Sequence, residues 1–355
     1  MGDINSCNIY ELDKLISAAE RPVIVTHMKP DGDAVGSCVA MYRFLKMCGK
    51  PHTRIVLNDR YPDYLGFLIG EDMTEDLLVM AENEDATAGA LKASDLVICL
   101  DFNAFHRTDR LEKYLEESDA PKILIDHHLS PDRERFTLSF SETRISSASE
   151  LLYWILMAMP QIGSDAGNLP PEAAEALMTG MTTDTNNFAN SVFPSTLHMA
   201  SDLLSAGVDR DRILGLLYNQ YSENRLRLMG HMMKDLLTLT DDGVAYIVLD
   251  RKTQKEYGIA EGDTEGFVNM PLSIAGVRMS LLLKEDEDRI RVSIRSKKGT
   301  SANRCARLYF NGGGHENAAG GKLLVPADIS GIAEAAGYIE RQTHKFFTQI
   351  DEDDI

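Results

Sequence analysis

Short, continuous apolar runs mark the strands in the first two hundred residues of the chain. Such runs are typical of strands buried on both faces, and segments of helical periodicity lie between them. We predict strands at Val23–Thr26, Thr53–Leu57, Leu96–Leu100 and Ile123–Ile125, and helices at Ile9–Ala19, Ala34–Cys48, Ser147–Met159, Pro171–Met181 and Thr196–Ala206. This alternation predicts an α/β domain with a mainly parallel sheet flanked by helices.

The pattern changes after Asp241-Asp242-Gly243. A charged helical stretch, Arg210–Leu239, comes before that point. Beyond it we predict strands at Val244–Leu249, Val277–Lys284 and Arg289–Arg295, and helices at Ser301–Phe310 and Ile332–Phe347. The chain should therefore fold as a first domain at 1–207, a helical linker at 208–240 and a smaller α/β domain with a mixed sheet at 241–350.

Composition narrows the classes of function. The 355 residues are 44% hydrophobic, which is enough for two buried cores. The formal charge of −19 argues against binding to duplex nucleic acid, which requires many neutralised phosphates. The sequence holds no apolar run of membrane-spanning length, so we expect no membrane partner. Its five cysteines form no C-x-x-C pair, which favours reduced thiols in the cytoplasm.

Carboxylates and histidines follow four of the apolar runs. They are His27, Asp31 and Asp33 after the first strand, Asp101 after Leu96–Leu100, the triplet Asp126-His127-His128 after Lys122–Ile125, and Asp184 after Leu177–Thr183. Ligands of doubly wound sheets gather beyond the carboxyl ends of the strands. Four carboxylates and two imidazoles suit two divalent ions, and oxygen and nitrogen donors without thiolate favour Mn²⁺, with Mg²⁺ or Co²⁺ as alternatives.

Two residues have more than one interpretation. Asp126 can orient a ligating histidine through its other ring nitrogen, although it is also a suitable helix N-cap. For His128, a purely structural hydrogen bond is the alternative to a role at the site.

A basic segment stands out in this acidic chain. Between Arg289 and His315 there are seven Lys or Arg residues and no Asp or Glu. Such a segment would attract a small anionic substrate. Arg289, Arg291 and Arg295 should share one strand face.

The motifs together resemble the DHH phosphoesterases. They are His27-Met-Lys-Pro-Asp31-Gly-Asp33-Ala-Val-Gly36-Ser, then Asp101, then Asp126-His127-His128, then Thr183-Asp184-Thr185. Gly312-Gly313-Gly314-His315, with Arg295 upstream, resembles the DHHA1 substrate-binding domain. The resemblance covers almost the whole chain and implies an active site in the cleft between the domains. The chain departs from the family pattern at Asn186, where we expect Gly after the Thr.

The resemblance also implies a role for each residue. His27 and Asp31 would hold the first ion, Asp33, His127 and Asp184 the second, and Asp101 would bridge the two. Asp101, Asp126 and His128 would be the catalytic group, with His128 touching the scissile phosphate. Arg295, Gly312, Gly313, Gly314 and His315 would bind the substrate.

The short layout resembles the branch that hydrolyses very short RNA to nucleoside monophosphates, or 3′-phosphoadenosine 5′-phosphate to AMP. We therefore predict a Mn²⁺-dependent phosphodiesterase or phosphatase whose partners are short RNA or small phosphorylated nucleotides. One alternative is a pyrophosphatase, an exopolyphosphatase or a linear or cyclic dinucleotide phosphodiesterase. Another is a non-catalytic nucleotide sensor. The oligomeric state stays open, with a homodimer as one alternative.

Overall fold

The computed structural model describes residues 2–219, 221–260 and 262–353. The chain divides into two compact units, 1–220 and 221–355, and each has its own sheet and core. Within the described ranges, no helix combines the length and hydropathy that crossing a bilayer requires.

The first unit is built on a parallel sheet. Its strands are β1 (Pro22–Val25), β2 (Arg54–Leu57), β3 (Leu77–Val79), β4 (Leu96–Leu100), β5 (Lys122–Asp126) and β6 (Leu138–Ser141). They are hydrogen-bonded in the order β3-β2-β1-β4-β5-β6, and every pairing is parallel. The prediction of a mainly parallel sheet is confirmed.

Helices surround this sheet. They are α1 (Ser6–Ala18), α2 (Gly32–Met47), α3 (Glu84–Ala93), α4 (Glu112–Glu117), α5 (Ala148–Ala158), α6 (Pro171–Asp184), α7 (Pro194–Ser205) and α8 (Arg210–Tyr218). Short 3₁₀ helices cover Asp63–Leu68, Glu71–Met73, Phe105–Leu111, Arg133–Arg135 and Ala166–Asn168.

Both faces of the parallel sheet are buried. Successive residues of a strand point to opposite faces, so Ile24 and Ile98 join one core while Val23 and Val97 join another. The first core includes apolar residues of α1, α2, α5 and α6. This double burial explains why the strands are continuous apolar runs.

A close helix pair supports the carboxyl end of the sheet. On α2, a Cβ at Gly36 would lie 2.6 Å from the Ala176 carbonyl oxygen and 3.0 Å from the Gly180 nitrogen of α6. The absence of a side chain at Gly36 therefore lets the two helix backbones touch. Because α2 and α6 carry candidate ligands, this approach brings those ligands close together.

The second unit contains a mixed sheet. Its strands are β7 (Thr238–Leu239), β8 (Val244–Leu249), β9 (Met279–Glu285), β10 (Arg289–Ser296), β11 (Gly313–Gly314) and β12 (Ala318–Leu324). They are ordered β11-β12-β10-β9-β8-β7, and the β8–β9 pairing is parallel while the other pairings are antiparallel. The predicted mixed sheet is confirmed.

The helical elements of the second unit pack on this sheet. They are α9 (Glu223–His231), a π-helical turn Met232–Leu236, α10 (Arg251–Glu256), α11 (Ala302–Tyr309), α12 (Ala335–Asp353) and 3₁₀ helices at Phe267–Ser273 and Ile332–Glu334. Ile290, Val292 and Ile294 of β10 join the core that contains α11 and α12 residues. Buried and half-buried positions alternate along β10, so its arginines share the opposite face.

Two segments differ from the expected elements. The stretch 208–240 is not one helix, because α8 ends at Tyr218 and a new helix begins after Ser222, whose side chain accepts from the Arg225 N–H. This stretch is shared between the two compact units. The predicted helix end at Met181 is the second difference: α6 continues three residues further, and Asp184 is its last residue.

Candidate metal centre

Polar residues from four elements meet at the carboxyl end of the parallel sheet. Neighbouring strands β1, β4 and β5 lead into His27, Asp101 and His127, and α6 supplies Asp184. Asp101 has a left-handed backbone, with φ of 63°, while its N–H donates to the Ile125 carbonyl at 3.0 Å. A non-glycine residue in this conformation stores about 1 kcal/mol or more, and such strain is frequent at functional sites.

Asp101 is shared by three groups of potential metal ligands. Its partners are His27 and Asp31 in the first group, Asp33 and His127 in the second, and Asp126 and His128 in the third; within each group the ligand atoms lie within 4.8 Å of one another. Asp101 Oδ2 is 3.4 Å from His27 Nε2, and its Oδ1 is 3.4 Å from His127 Nε2. One carboxylate therefore faces the first and second groups, each through a different oxygen.

Asp184 joins the second group. Its Oδ2 lies 3.7 Å from His127 Nε2, and Asp33 Oδ2 lies 3.9 Å from the same nitrogen. The structure thus brings together all six residues that the sequence suggested as metal ligands. Their ligand roles themselves stay a prediction.

The two carboxylates of the first motif have contrasting environments. Asp31 caps its own helix: its Oδ1 accepts from the N–H groups of Asp33 and Ala34, both at 3.1 Å, and the side chain is 59% exposed. The Asp33 side chain is only 2% exposed and accepts from Ala148 N–H at 2.6 Å and Ser149 N–H at 2.9 Å. Those donors form the first turn of α5, where the helix dipole favours negative charge.

Hydrogen bonding fixes which nitrogen of His27 faces the carboxylates. Its Nδ1 lies 2.8 Å from the Met28 carbonyl oxygen, and because a carbonyl can only accept, Nδ1 carries the proton. Nε2 is then the ring atom that points toward Asp101 and Asp31. With the Nδ1 proton held in this way, the ring can ligate a metal through Nε2 once Nε2 has lost its own proton.

Asp126 orients His128 and not the expected ligand His127. Asp126 Oδ1 is 2.7 Å from His128 Nδ1, and its Oδ2 accepts from the His128 backbone N–H at 3.1 Å. Asp126 thus contacts both the backbone N–H and the ring of the residue two positions later in the chain, which places the His128 ring beside the carboxylate. The triplet therefore separates into a histidine beside Asp101 and an Asp–His pair.

The donor set fits a cation. Asp101 Oδ1 is buried and makes no well-aligned hydrogen bond with the described residues, although His127 Nε2 lies 3.4 Å away. Burial opposes ionisation of this carboxyl, but the imidazoles of His127 and His27 hold the pKa of Asp101 well below its usual range. A buried, ionised oxygen without a hydrogen-bond donor is costly unless positive charge lies beside it.

The raised pKa values of the two imidazoles also indicate that the cluster favours positive charge. Burial opposes their protonation, yet Asp101 and Asp31 raise the pKa of His27 to about 9, while Asp101 and Asp184 raise that of His127 to about 10. Burial, only partly offset by His127, raises the pKa of Asp184 to about 6. Burial and the charge of Asp101 raise the pKa of Asp33. The cluster attracts cations, and a metal ion would compete there with protons.

The loop after Asp184 explains the departure from the family pattern. Asn186, Asn187 and Phe188 all have positive φ, at 47°, 56° and 65°. Glycine adopts this region without cost, and asparagine is among the side chains that tolerate it. Asn186 therefore takes the conformation that a glycine would supply, and α6 can still end at Asp184.

The basic residues of the second unit have unequal surroundings. Arg291 Nη2 pairs with Asp286 Oδ1 at 3.0 Å, and Arg289 lies 3.7 Å from Asp288 Oδ1. Arg295, further along β10, donates from Nη1 to its neighbouring Ile294 carbonyl at 3.0 Å. Carboxylates near the hairpin turn thus partly neutralise the first two arginines.

The glycine run has a structural role of its own. A Cβ at Gly312 would overlap the Gly320 carbonyl oxygen of β12. A Cβ at Gly313 would instead make ordinary contacts, at 3.5 Å from Asn303 Oδ1 and 3.8 Å from Arg307 Cγ. His315 closes the turn, donating its N–H to the Ala318 carbonyl at 2.8 Å. At Gly314, whose φ is 148°, a Cβ would lie 2.6 Å from the Ala318 carbonyl oxygen. The packing requirement therefore falls on Gly312 and Gly314 and leaves Gly313 without one.

Sequence reasoning missed two supporting groups. Asp59, which belongs to none of the sequence motifs, accepts the Lys29 N–H at 2.8 Å beside the first motif. The α5 N-terminus that holds Asp33 was predicted as a helix start and not as part of the site. Its signal was Ser147-x-x-Glu150, in which Ser147 accepts from the Glu150 N–H at 2.9 Å.

Comparison with known families assigns both halves of the chain. The model described as "DHH family, N-terminal domain" matches residues 21–181, and the "DHHA1 domain" model matches residues 241–339. The two matches fall in different compact units of the structure.

Similar proteins cover nearly the full length. The bifunctional oligoribonuclease and PAP phosphatase NrnA of Bacillus subtilis is 29% identical, over 88% of this chain and 92% of its own. The protein of the same name from Thermus thermophilus is 30% identical, over 87% of this chain and 86% of its own. The crystal structure of an exopolyphosphatase-related protein from Bacteroides fragilis is 35% identical, covers 98% of both chains and superposes with a TM-score of 0.89.

Proposed function

Because the chain belongs to the DHH family of phosphoesterases, we propose that it hydrolyses short oligoribonucleotides and 3′-phosphoadenosine 5′-phosphate with two divalent ions, most simply Mn²⁺. The family is metal-dependent, and the ligand set of this chain fits that chemistry. The observation that carries the proposal is the sharing of Asp101 between two groups of ligand atoms. A carboxylate facing two such groups is what a two-metal phosphoesterase needs.

We assign His27 and Asp31 to one ion, Asp33, His127 and Asp184 to the other, and Asp101 to both. When bound, such ions polarise the phosphoryl group and lower the pKa of a water so that it can attack at neutral pH. Hydrogen bonds within the protein already fix two of these side chains in the absence of metal. Asp33 is fixed by the first turn of α5, and the His27 ring by the Met28 carbonyl.

His128 and Asp126 would serve the substrate. The Asp126 carboxylate accepts the Nδ1 proton of His128, which orients the ring and leaves its Nε2 to contact a phosphate oxygen. The same pairing in serine hydrolases fixes a catalytic imidazole in one tautomer. Truncation of Asp126 should therefore lower kcat more than metal affinity.

We assign substrate binding to the second unit, through Arg295, the Gly312–Gly314 backbone and His315. Arginine binds phosphate through two parallel N–H donors, and backbone N–H groups of a glycine-rich turn can face an anion. The acidic charge of the whole chain and the local run of cations favour a small anionic substrate over duplex nucleic acid.

The similarity to an exopolyphosphatase-related protein supports a second candidate, hydrolysis of pyrophosphate or polyphosphate. One panel separates the candidates: RNAs of two to ten nucleotides, 3′-phosphoadenosine 5′-phosphate, pyrophosphate, polyphosphate, and linear and cyclic dinucleotides, each with Mn²⁺, Mg²⁺ or Co²⁺. We expect the highest kcat/KM on the shortest RNAs with Mn²⁺.

Two results of this panel would overturn the proposal. Faster turnover of pyrophosphate or polyphosphate than of any nucleotide would favour the second candidate. Stoichiometric binding of a nucleotide without turnover of any compound would instead indicate a sensor.

A further inference from the structure

In the first motif, a three-residue loop, Met28-Lys29-Pro30, separates the candidate metal ligands His27 and Asp31. The shape of this loop determines the separation of His27 Nε2 from Asp31 Oδ1, which is 3.9 Å. Ligands of one ion must keep such separations closely for the ion to bind well. Whatever fixes the loop therefore affects the ion assigned to His27 and Asp31.

The loop is strained at its centre. Lys29 has a φ of 52°, in the left-handed region that non-glycine residues rarely adopt. It also precedes Pro30, and the proline ring restricts the backbone of the preceding residue to extended conformations. Such a residue costs about 1–3 kcal/mol and persists only when surrounding contacts hold it.

Two hydrogen bonds hold the loop in this conformation. The Met28 N–H donates to the Arg107 carbonyl at 2.8 Å, and the Lys29 N–H donates to Asp59 Oδ2 at 2.8 Å. Pro30 has no N–H to offer. Among the described residues, Asp59 is thus the side chain that binds the backbone of the strained residue.

Asp59 is itself fixed by a buried neighbour. Asn58 Nδ2 donates to Asp59 Oδ2 at 2.9 Å, and Asn58 Oδ1 accepts from the Arg110 N–H at 3.2 Å. Asn58 follows β2, whereas Arg110 belongs to the 3₁₀ helix after β4. This hydrogen-bond network connects the loops that follow three neighbouring strands.

We propose that Asp59 is a positioning residue for the metal centre: it holds Lys29 in its strained conformation and so keeps His27 and Asp31 at the spacing of one ion. The inference rests on the proposed metal centre. Asp59 acts as a hydrogen-bond acceptor through Oδ2, so this side-chain oxygen matters and the negative charge does not. The ion assigned to Asp33, His127 and Asp184 should be little affected.

Calorimetric titration of Mn²⁺ into the metal-free, full-length protein tests this. We expect Asp59→Ala to weaken one of two Mn²⁺ sites by about 10- to 100-fold, the usual effect of losing a residue that orients metal ligands, and to leave the other site within threefold. Asp59→Asn, which keeps an acceptor oxygen, should bind both ions like the wild type. Asp63→Ala, which removes an exposed carboxylate four residues away, is the matched control.

The rate of hydrolysis should follow the occupancy of the weakened Mn²⁺ site. Asp59→Ala should need more Mn²⁺ for half-maximal rate but approach the wild-type kcat at saturation, whereas loss of a true ligand would not be rescued. If Asp59→Ala does not fold, the Mn²⁺ affinities of Asp59→Asn and Asp63→Ala still show whether the metal centre depends on the acceptor oxygen of Asp59 or on its negative charge.

Several results would overturn the inference. These are unchanged Mn²⁺ affinity in Asp59→Ala, equal weakening of both sites, or an Asp59→Asn protein as impaired as Asp59→Ala. A wild-type protein that binds no Mn²⁺ would instead remove the proposed metal centre itself.

Discussion

The two sheets place charged side chains in opposite environments. Around the parallel sheet, Asp33, Asp101 and Asp126 are buried at its carboxyl end. On the mixed sheet, Arg289 and Arg291 lie on a partly exposed strand face and pair with nearby carboxylates. The charged groups of the first region are buried, whereas those of the second remain partly exposed to water.

This difference bears on how each region can work. A buried carboxylate costs several kcal/mol unless positive charge and hydrogen bonds compensate, so the first region requires imidazoles, a helix N-terminus and cations. A half-exposed guanidinium remains hydrated and needs no such support. We therefore expect substitutions in the first region to affect every substrate and those in the second to discriminate between substrates.

Asp101→Asn should have the largest effect. Asparagine tolerates the left-handed backbone of this position, but it removes the charge that faces both ligand groups. Losing stabilisation of several kcal/mol should lower kcat at least about a thousandfold on RNA, adenosine bisphosphate and generic phosphodiesters alike. Rates at rising Mn²⁺ measure this, with exposed Asp119→Ala as the control. Activity within tenfold of wild type on any substrate would contradict the two-metal assignment.

Metal binding should depend steeply on pH, because the metal-free imidazoles of His27 and His127 have pKa values raised to about 9 and about 10. At neutral pH both rings carry protons that a ligated ion must displace. Mn²⁺ affinity should therefore rise with pH up to that range, by about tenfold per unit for each proton released. Calorimetry in buffers of different ionisation enthalpy counts those protons. An affinity independent of pH between 6 and 8 would show that neither ring loses a proton when Mn²⁺ binds.

Sequence and structure agree best where burial dictates residue type. The run Leu96–Leu100 predicts β4 with its bounds unchanged, since a strand covered on both faces must be apolar throughout. The six candidate ligands could be proposed from the sequence because Asp and His follow buried runs repeatedly, and the packing of a core does not require charged residues there. Strand β12, Ala318–Leu324, was missed because its two glycines give neither alternation nor an apolar run.

Contacts between distant loops could not be predicted. Asp59 looks like an ordinary polar loop residue, and only the fold brings its carboxylate to the Lys29 N–H. The partner of Asp126 was equally hidden, because sequence adjacency favours neither His127 nor His128. Asn186 could be recognised as a departure, but its positive φ, which makes the substitution acceptable, is a property of the backbone.

Arg295→Ala should separate the substrates. A lost charge-assisted hydrogen bond to phosphate is worth about 1.5–3 kcal/mol, so kcat/KM on short RNA should fall about 10- to 100-fold. Hydrolysis of a small generic phosphodiester, which lacks the remaining nucleotide, should fall less than about threefold. Arg289→Ala, on the same strand face beside Asp288, is the control and should change neither. Equal losses on both substrates would contradict the assignment of Arg295 to substrate binding.

The glycine run offers the finest test, because its packing and binding roles fall on different residues. Gly312→Ala would place a methyl group against the Gly320 carbonyl, and such overpacking should lower Tm by about 5–10 °C. Gly313→Ala has room for its methyl group beside Asn303 and should leave Tm within about 2 °C. If the turn binds phosphate through its backbone, that methyl group should still raise KM for short RNA about threefold to tenfold, with kcat less changed. Thermal unfolding and kinetics on the pair measure both effects. An unchanged KM in Gly313→Ala would show that the turn serves packing alone.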